Sequence, residues 1–180
     1  MKRKIFININ LPDRTKKRLS RAIERWVDLP VKWVREENLH VSLFFLGFVD
    51  DDSTYEVCEA VTRAAQTEEI FDIEFDTIKL SPSAEDPRVV VVTGKPNENL
   101  RNLAEKIEKE LGIFTSAKKE FRPNITLGKV RKNIWQDLSE KPVINKEFPL
   151  LATVESVDVM ASNFEGDDAE FVIVESCQLV

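Results

Sequence analysis

His40 and Ser42 stand two residues apart in the segment Leu39-His40-Val41-Ser42-Leu43. They pair an imidazole able to move a proton near neutral pH with a hydroxyl that can donate and accept a hydrogen bond. Residues two apart on a strand share a face, so both look one way while Leu39, Val41 and Leu43 enter a core. A second segment, Pro123-Asn124-Ile125-Thr126-Leu127, repeats the pattern, with Asn124 and Thr126 on one face. Twin strands that each offer an imidazole and a hydroxyl would hold a phosphate between two proton-transfer groups. The repeat breaks at Asn124, an amide where the second imidazole belongs.

Basic residues bracket the second segment. From Ser116 to Lys132 the chain carries six of them (Lys118, Lys119, Arg122, Lys129, Arg131, Lys132) against one acid, Glu120, a local balance of +5. A solvated charged edge that discourages sheet-to-sheet pairing is one reading; an anion site is the other, favoured by the position of the run around the twin motif. Arg122 has the parity of Asn124 and Thr126, so a regular strand points it into the same groove as a phosphate ligand. The whole chain carries −6, the wrong sign for a general nucleic-acid binder.

Other chemistry is poorly supported. There is no phosphate-cradling glycine loop, no dinucleotide-binding glycine fingerprint, no H-E-x-x-H and no G-x-S-x-G. With His40 the only histidine, no histidine-cluster metal site is available, and a carboxylate Mg²⁺ site has no supporting motif, so no metal and no cofactor are expected. Cys58 reads as a small core residue, and Cys58 and Cys177 are too few for a disulfide framework. Asp50-Asp51-Asp52 directly precedes a capping box, so helix capping accounts for it better than a metal. The apolar stretch after Met1-Lys2-Arg3-Lys4 is broken by Asn8 and Asn10, and no apolar segment approaches membrane-spanning length. A soluble, cytoplasmic, monomeric protein without membrane contact is expected.

These residues need elements to position them. Strands are expected at Lys4 to Asn10, Leu39 to Leu46 (ending at Gly47), Phe71 to Leu80, Val89 to Val92, Phe121 to Gly128, Val154 to Met160 and Phe171 to Glu175. Helices are expected after Asp13 as N-cap, after the capping box Ser53-Thr54-Tyr55-Glu56, and through Leu100 to Leu111 with a stop at Gly112. A turn is expected at Glu165-Gly166-Asp167-Asp168. The order predicts an α+β protein with mostly antiparallel pairing. No linker divides residues 1–180, and the repeated motif suggests two related lobes with a groove where the twin strands meet.

Lys32-Trp33-Val34-Arg35-Glu36-Glu37-Asn38-Leu39-His40-Val41-Ser42-Leu43-Phe44-Phe45-Leu46-Gly47 closely resembles the first signature of the two-histidine phosphoesterases, W-V-x-x-E-N-x-H-x-[ST]-L-x-F-L-G. Within them it looks like the bacterial and archaeal RNA 2′,3′-cyclic phosphodiesterases, also known as 2′-5′ RNA ligases. The second signature, F-x-P-H-[IL]-T-L-x-[RK], is matched by Phe121 through Lys129 except at Asn124. Ile5-Phe6-Ile7 through Leu11-Pro12, Pro87-Arg88-Val89-Val90 and the tail near Phe171 fit as well, so the similarity spans almost the whole chain.

The resemblance implies a bilobal, pseudo-twofold α+β fold whose two mostly antiparallel sheets, flanked by helices, enclose a central groove. It implies RNA ends or nucleotides with a 2′,3′-cyclic phosphate, opened by water to a 2′-phosphate. His40 takes the general-acid role, Ser42 and Thr126 bind phosphate oxygens with Arg122 and Lys129 nearby, and position 124 is where the family places its base. Asn124 therefore predicts impaired turnover. It is compatible with an introduced exchange, with a natural loss that leaves a non-catalytic RNA-end or nucleotide binder, or with a base elsewhere, which charge repulsion at the phosphate opposes.

Overall fold

Ile5, Ile7 and Ile9 are almost completely withdrawn from solvent, while Asn10 on the alternate side is exposed. That alternation makes Lys2–Asn10 the strand β1, two residues longer at its start than the periodicity predicts. The computed structural model describes residues 1–113, 121–162 and 170–180. The elements run β1, α1 (Asp13–Ile23), β2 (Val31–Trp33), β3 (His40–Asp50), α2 (Asp51–Ala65), β4 (Phe71–Ser81), β5 (Val89–Thr93), α3 (Glu98–Leu111), β6 (Asn124–Val130), α4 (Lys132–Asp137), β7 (Asn145–Val154), β8 (Ser156–Ser162) and β9 (Phe171–Gln178).

The strands form two antiparallel sheets, ordered β3-β1-β8-β9 and β2-β6-β5-β4-β7. Apart from the added edge strand β2, the orders correspond: each begins with a twin strand, β3 or β6, and places three further strands beside it. The twin strands lie against each other. β2 is the tether between the sheets. It pairs with β6, Trp33 opposite Gly128, and Val34 N–H donates to Leu127 O at 2.8 Å; seven residues after Trp33 the chain reaches His40 in the other sheet. The cores come from helix stripes meeting strand faces: Leu100, Leu103, Ala104 and Ile107 of α3, and Ala60, Val61, Ala64 and Ala65 of α2, are all at most 3% exposed. Each large apolar side chain buried this way contributes about 1.5–3 kcal/mol.

Several local expectations shift for physical reasons. Helix α1 has Pro12 at its cap and Asp13 as its first helical residue, so Asp13 acts through its charge near the helix N-terminus and makes no side-chain cap. Asp50, not Ser53, caps α2: its Oδ1 accepts from Ser53 N–H at 2.8 Å, and the helix starts before the Ser53 box. The aspartate run is thus explained by capping. Strand β3 does not stop at Gly47 but passes through it with φ of 77°, next to a bulge at Leu46, and continues to Asp50. β6 begins at Asn124, leaving Phe121 to Pro123 outside it. β2, α4 and β7 are additional to the expected elements. In β7 Phe148, Leu150, Ala152 and Val154 do alternate inward, but Pro149 interrupts the reading; it is tolerated at a bulge on an edge strand. The expected turn at Glu165 to Asp168, and Lys118, Lys119 and Glu120 of the basic run, lie outside the described residues.

Gly94 follows β5, where another backbone passes within contact distance. A Cβ there would collide with the carbonyl oxygen of Glu74 and sit 3.0 Å from Phe75 Cα, both backbone atoms that cannot swing aside. Gly94→Ala is expected to destabilise the fold by about 1–3 kcal/mol, the usual cost of overpacking, visible as a lower denaturation midpoint at unchanged denaturant slope. An unchanged midpoint would mean that the β4 crossing yields easily.

Candidate functional site

Two β-bulges decide which side chains the twin strands present. In β3, Asn8 opposes Ser42 but Ile7 opposes Phe44, so Leu43 is an extra residue. In β6, Val91 opposes Thr126 but Val90 opposes Gly128, so Leu127 is extra. The extra residue falls at the same motif position in both copies, immediately after the hydroxyl. A bulge reverses the alternation beyond it. Phe45, opposite Phe6, thereby joins the face of His40 and Ser42, and Lys129, opposite Val89, joins that of Asn124 and Thr126. Simple parity would have put both on the core side.

His40 is fixed at both nitrogens. The turn Glu36–Asn38 ends just before it and brings Asn38 O within 2.6 Å of Nδ1, so Nδ1–H donates there. Nε2 of the neutral ring is then an acceptor, and Ser42 Oγ lies 3.3 Å from it. The ring sits with Phe6 and Phe171, each centroid 6.0 Å away, and those two phenyls meet edge-on at 4.8 Å. Burial lowers the His40 pKa below its ordinary value, the Asn38 bond pulls the other way, and the Lys16 charge lowers it further. At neutral pH the imidazole of the free protein is neutral, with Nε2 ready to take a proton. In front of it opens a cavity of ≈ 550 Å³ whose lining includes Lys4, Phe6, Ser42, Phe45 and Phe171. Phe45 is 70% exposed, a bare ring beside a hydroxyl and an imidazole.

Beside His40 runs a polar row, buried at Asn8 and Asp158, that the sequence reading missed. Asn8 stands opposite Ser42 on one side and Asp158 on the other, and Asp158 stands opposite Ser176. Ser176 Oγ donates to Asp158 Oδ1 at 2.7 Å; burial pushes the Asp158 carboxyl pKa up, while that bond and the Lys16 charge pull it down. Lys16, largely buried on α1, donates to Glu37 O at 3.1 Å. Asn8 Oδ1 is buried and has no hydrogen-bond partner among the described residues. The available signal was Asn8 and Asp158 interrupting the polar phase of apolar strands, which periodicity alone reads as an outward face.

The second half of the site is more open. Asn124 is exposed opposite Thr93, and Thr126 is half-buried opposite Val91. Arg122, exposed in the segment before β6, donates from Nη1 to Gly94 O at 3.3 Å, so it is braced by backbone and not carried on the strand that parity assumed. Lys129 is exposed between Lys32 of β2 and Val89 of β5. Arg131 sits at the α4 cap, and Lys132 pairs with Asp86 at 3.6 Å. The basic run therefore divides: Lys129 shares the Thr126 face, while Lys132 has a carboxylate of its own. Cys58 is half-buried on α2 with its thiol pKa pushed up to about 11, mainly by burial, which keeps it protonated.

Two facing strands, each with a hydroxyl followed by a bulge, form a groove of two corresponding halves. The sequence model of the 2'-5' RNA ligase superfamily matches residues 12–163, and the chain belongs to that superfamily. Among curated proteins it is 28% identical over 177 residues to the RNA 2′,3′-cyclic phosphodiesterase of Thermotoga maritima, covering 96% of this chain and 94% of that one. It is 33% identical over 106 residues to the RNA 2′,3′-cyclic phosphodiesterase of Aeropyrum pernix, covering 57% and 59%. The fold matches the crystal structure of E. coli LigT complexed with 3′-AMP at a TM-score of 0.78 and 22% identity, across 99% of both chains. The crystal structure of TT0787 of Thermus thermophilus matches at 0.77 and 23%, across 98% of this chain and 97% of that one.

Proposed function

We propose that this chain is an RNA 2′,3′-cyclic phosphodiesterase-type hydrolase that opens 2′,3′-cyclic phosphate ends to 2′-phosphates, slowed by Asn124. The observation that carries the reading is the fixed imidazole of His40, with Ser42 on its Nε2 and an aromatic cavity in front. The cyclic phosphate lies between β3 and β6, its non-bridging oxygens accepting from Ser42 and Thr126. A bound phosphodiester anion favours the imidazolium, so Nε2 gains a proton on binding. Water oxygen then attacks phosphorus, the bond from phosphorus to O3′ breaks, and the Nε2 proton goes to O3′. The attacking water loses its proton to solvent, because Asn124 can orient that water but cannot accept the proton. The missing base costs about 10²–10⁴ in rate. Phe45, Phe6 and Phe171 offer the nucleoside a stacking surface.

The chemistry uses no metal and no cofactor, and residues 1–180 act as one two-lobed unit, monomeric and cytoplasmic. Among the described residues no helix is long and apolar enough to cross a membrane. A multiple-turnover assay on a 2′,3′-cyclic mononucleotide, run beside His40→Ala, tests the function: hydrolysis that survives His40→Ala unchanged would overturn it. The second reading, a non-catalytic binder of RNA ends or nucleotides, is favoured by Asn124 itself; saturable binding with no turnover would select it.

Lys129 on the Thr126 face predicts a salt effect. Each phosphate neutralised contributes roughly −0.7 to the log-log slope of affinity against salt for single strands. Lys129→Ala is expected to weaken binding of a 2′,3′-cyclic end and flatten that slope by about this amount, as is Arg122→Ala. An unchanged slope in both variants would place the basic run outside the site.

A further inference from the structure

Arg14, Lys17, Arg18 and Arg21 occupy the exposed face of α1, opposite the buried Thr15, Lys16, Leu19 and Ile23. Their spacing of three and four residues sets them in a row with neighbours one helical turn apart. An open depression of ≈ 440 Å³ is lined by these four residues alone. Among the described residues none of the four makes an ion pair; Arg18 instead donates to Pro149 O at 3.3 Å and lies 5.1 Å from the Phe148 ring centroid. A local charge of +4 thus stands uncompensated on a chain whose net charge is −6. A row of like charges held without carboxylates suits a ligand carrying regularly repeated negative charge.

The helix that carries the row starts close in sequence to the strand partner of His40. Asn10 pairs with His40, and α1 starts three residues later at Asp13. Lys16, inside the same helix, donates to Glu37 O next to Asn38, whose carbonyl fixes His40. A strand whose last phosphate sits at His40 would round α1 to reach the row, which lies on the face away from Lys16. A lipid surface fits less well, because a membrane-binding helix keeps an apolar face free to insert, and Leu19 and Ile23 of α1 are committed to the core.

We propose that Arg14, Lys17, Arg18 and Arg21 form a track for the phosphate backbone of the RNA strand that leads to the cyclic end. This rests on the active-site reading above and extends it from the terminal nucleotide to the strand behind it. The test compares the variant Arg14→Gln/Lys17→Gln/Arg21→Gln with the wild type on a mononucleotide 2′,3′-cyclic phosphate and on oligonucleotides of about ten residues ending in a cyclic phosphate or a 3′-hydroxyl, each across a salt series. The expected result is an oligonucleotide slope shallower by about 2 (three phosphates at roughly 0.7 each) and affinity lower by about tenfold or more at low salt, with mononucleotide binding unchanged. Arg14→Lys/Arg21→Lys should keep the wild-type slope, which separates lost charge from lost fold. A wild type that gains nothing from strand length, a slope unchanged in the triple variant, or an equal loss on the mononucleotide would each overturn the track. So would wild-type binding to anionic vesicles or an acidic peptide in preference to RNA. Failure of the active-site reading looks different: cyclic and 3′-hydroxyl ends would bind alike while the slope change persisted.

Discussion

Asn124→His is expected to raise kcat on a 2′,3′-cyclic nucleotide by about 10²–10⁴, or about 3–5 kcal/mol of barrier. The local structure is ready for the exchange. Asn124 is exposed at the start of β6, so an imidazole can enter without displacing core atoms. Thr126 stands two residues along, as Ser42 stands to His40, and the bulge at Leu127 repeats the one at Leu43. A new imidazole would therefore meet a hydroxyl in the same relative place. With a base available to take the proton of the attacking water, both ends of the displacement gain proton transfer, and the effect falls on the transition state. KM should change little, because Asn124 already offers the phosphate or its water a hydrogen bond. The rate should become bell-shaped in pH, since one imidazole must be neutral while the other is protonated. If the variant folds but stays at background, more than one side chain separates this scaffold from turnover, and the binding reading takes first place.

How far the site could be read from sequence depends on which physical rule governs each residue. His40, Ser42, Asn124 and Thr126 sit in regular pleat before the bulges, so period-two reasoning places them correctly on their faces. Phe45 and Lys129 lie beyond an extra residue, where the same rule assigns the wrong face; only pairing with Phe6 and Val89 reveals the reversal. Arg122 escapes for another reason: Pro123 precedes the strand, so no ladder governs Arg122 and its guanidinium settles on Gly94 O. Lys16 was invisible because an amphipathic stripe assigns a lysine to solvent, whereas Glu37 O supplies an acceptor that makes its burial tolerable. The long elements were legible from their apolar spacing. β2 and α4 are three and six residues long, too short for periodicity, and owe their form to β6 and to tertiary packing.

His40→Ala is the converse experiment, expected to lower kcat/KM by about 10²–10⁴ in the Asn124→His enzyme. Its pH behaviour makes it diagnostic. In the proposed mechanism the protonated imidazole is the acid, and burial together with the Lys16 charge holds the His40 pKa below its ordinary value. In the wild type, whose only imidazole is His40, kcat/KM should therefore descend as pH rises through a value below 6.5, with no rising limb from a second histidine. Lys16→Met keeps the aliphatic stem and removes the charge; His40 is then more easily protonated, and the descending limb should move to higher pH. In Asn124→His the rising limb of the bell belongs to residue 124, so adding His40→Ala should remove the falling limb alone. Two residues that act in one displacement are not additive. Once His40 is gone, a base at 124 should recover much less than it does beside an intact acid. Full additivity, or a descending limb that survives His40→Ala, would mean that another group protonates O3′. Asp158 would then be the first to examine, because burial pushes its pKa up and Asn8 lies between it and Ser42.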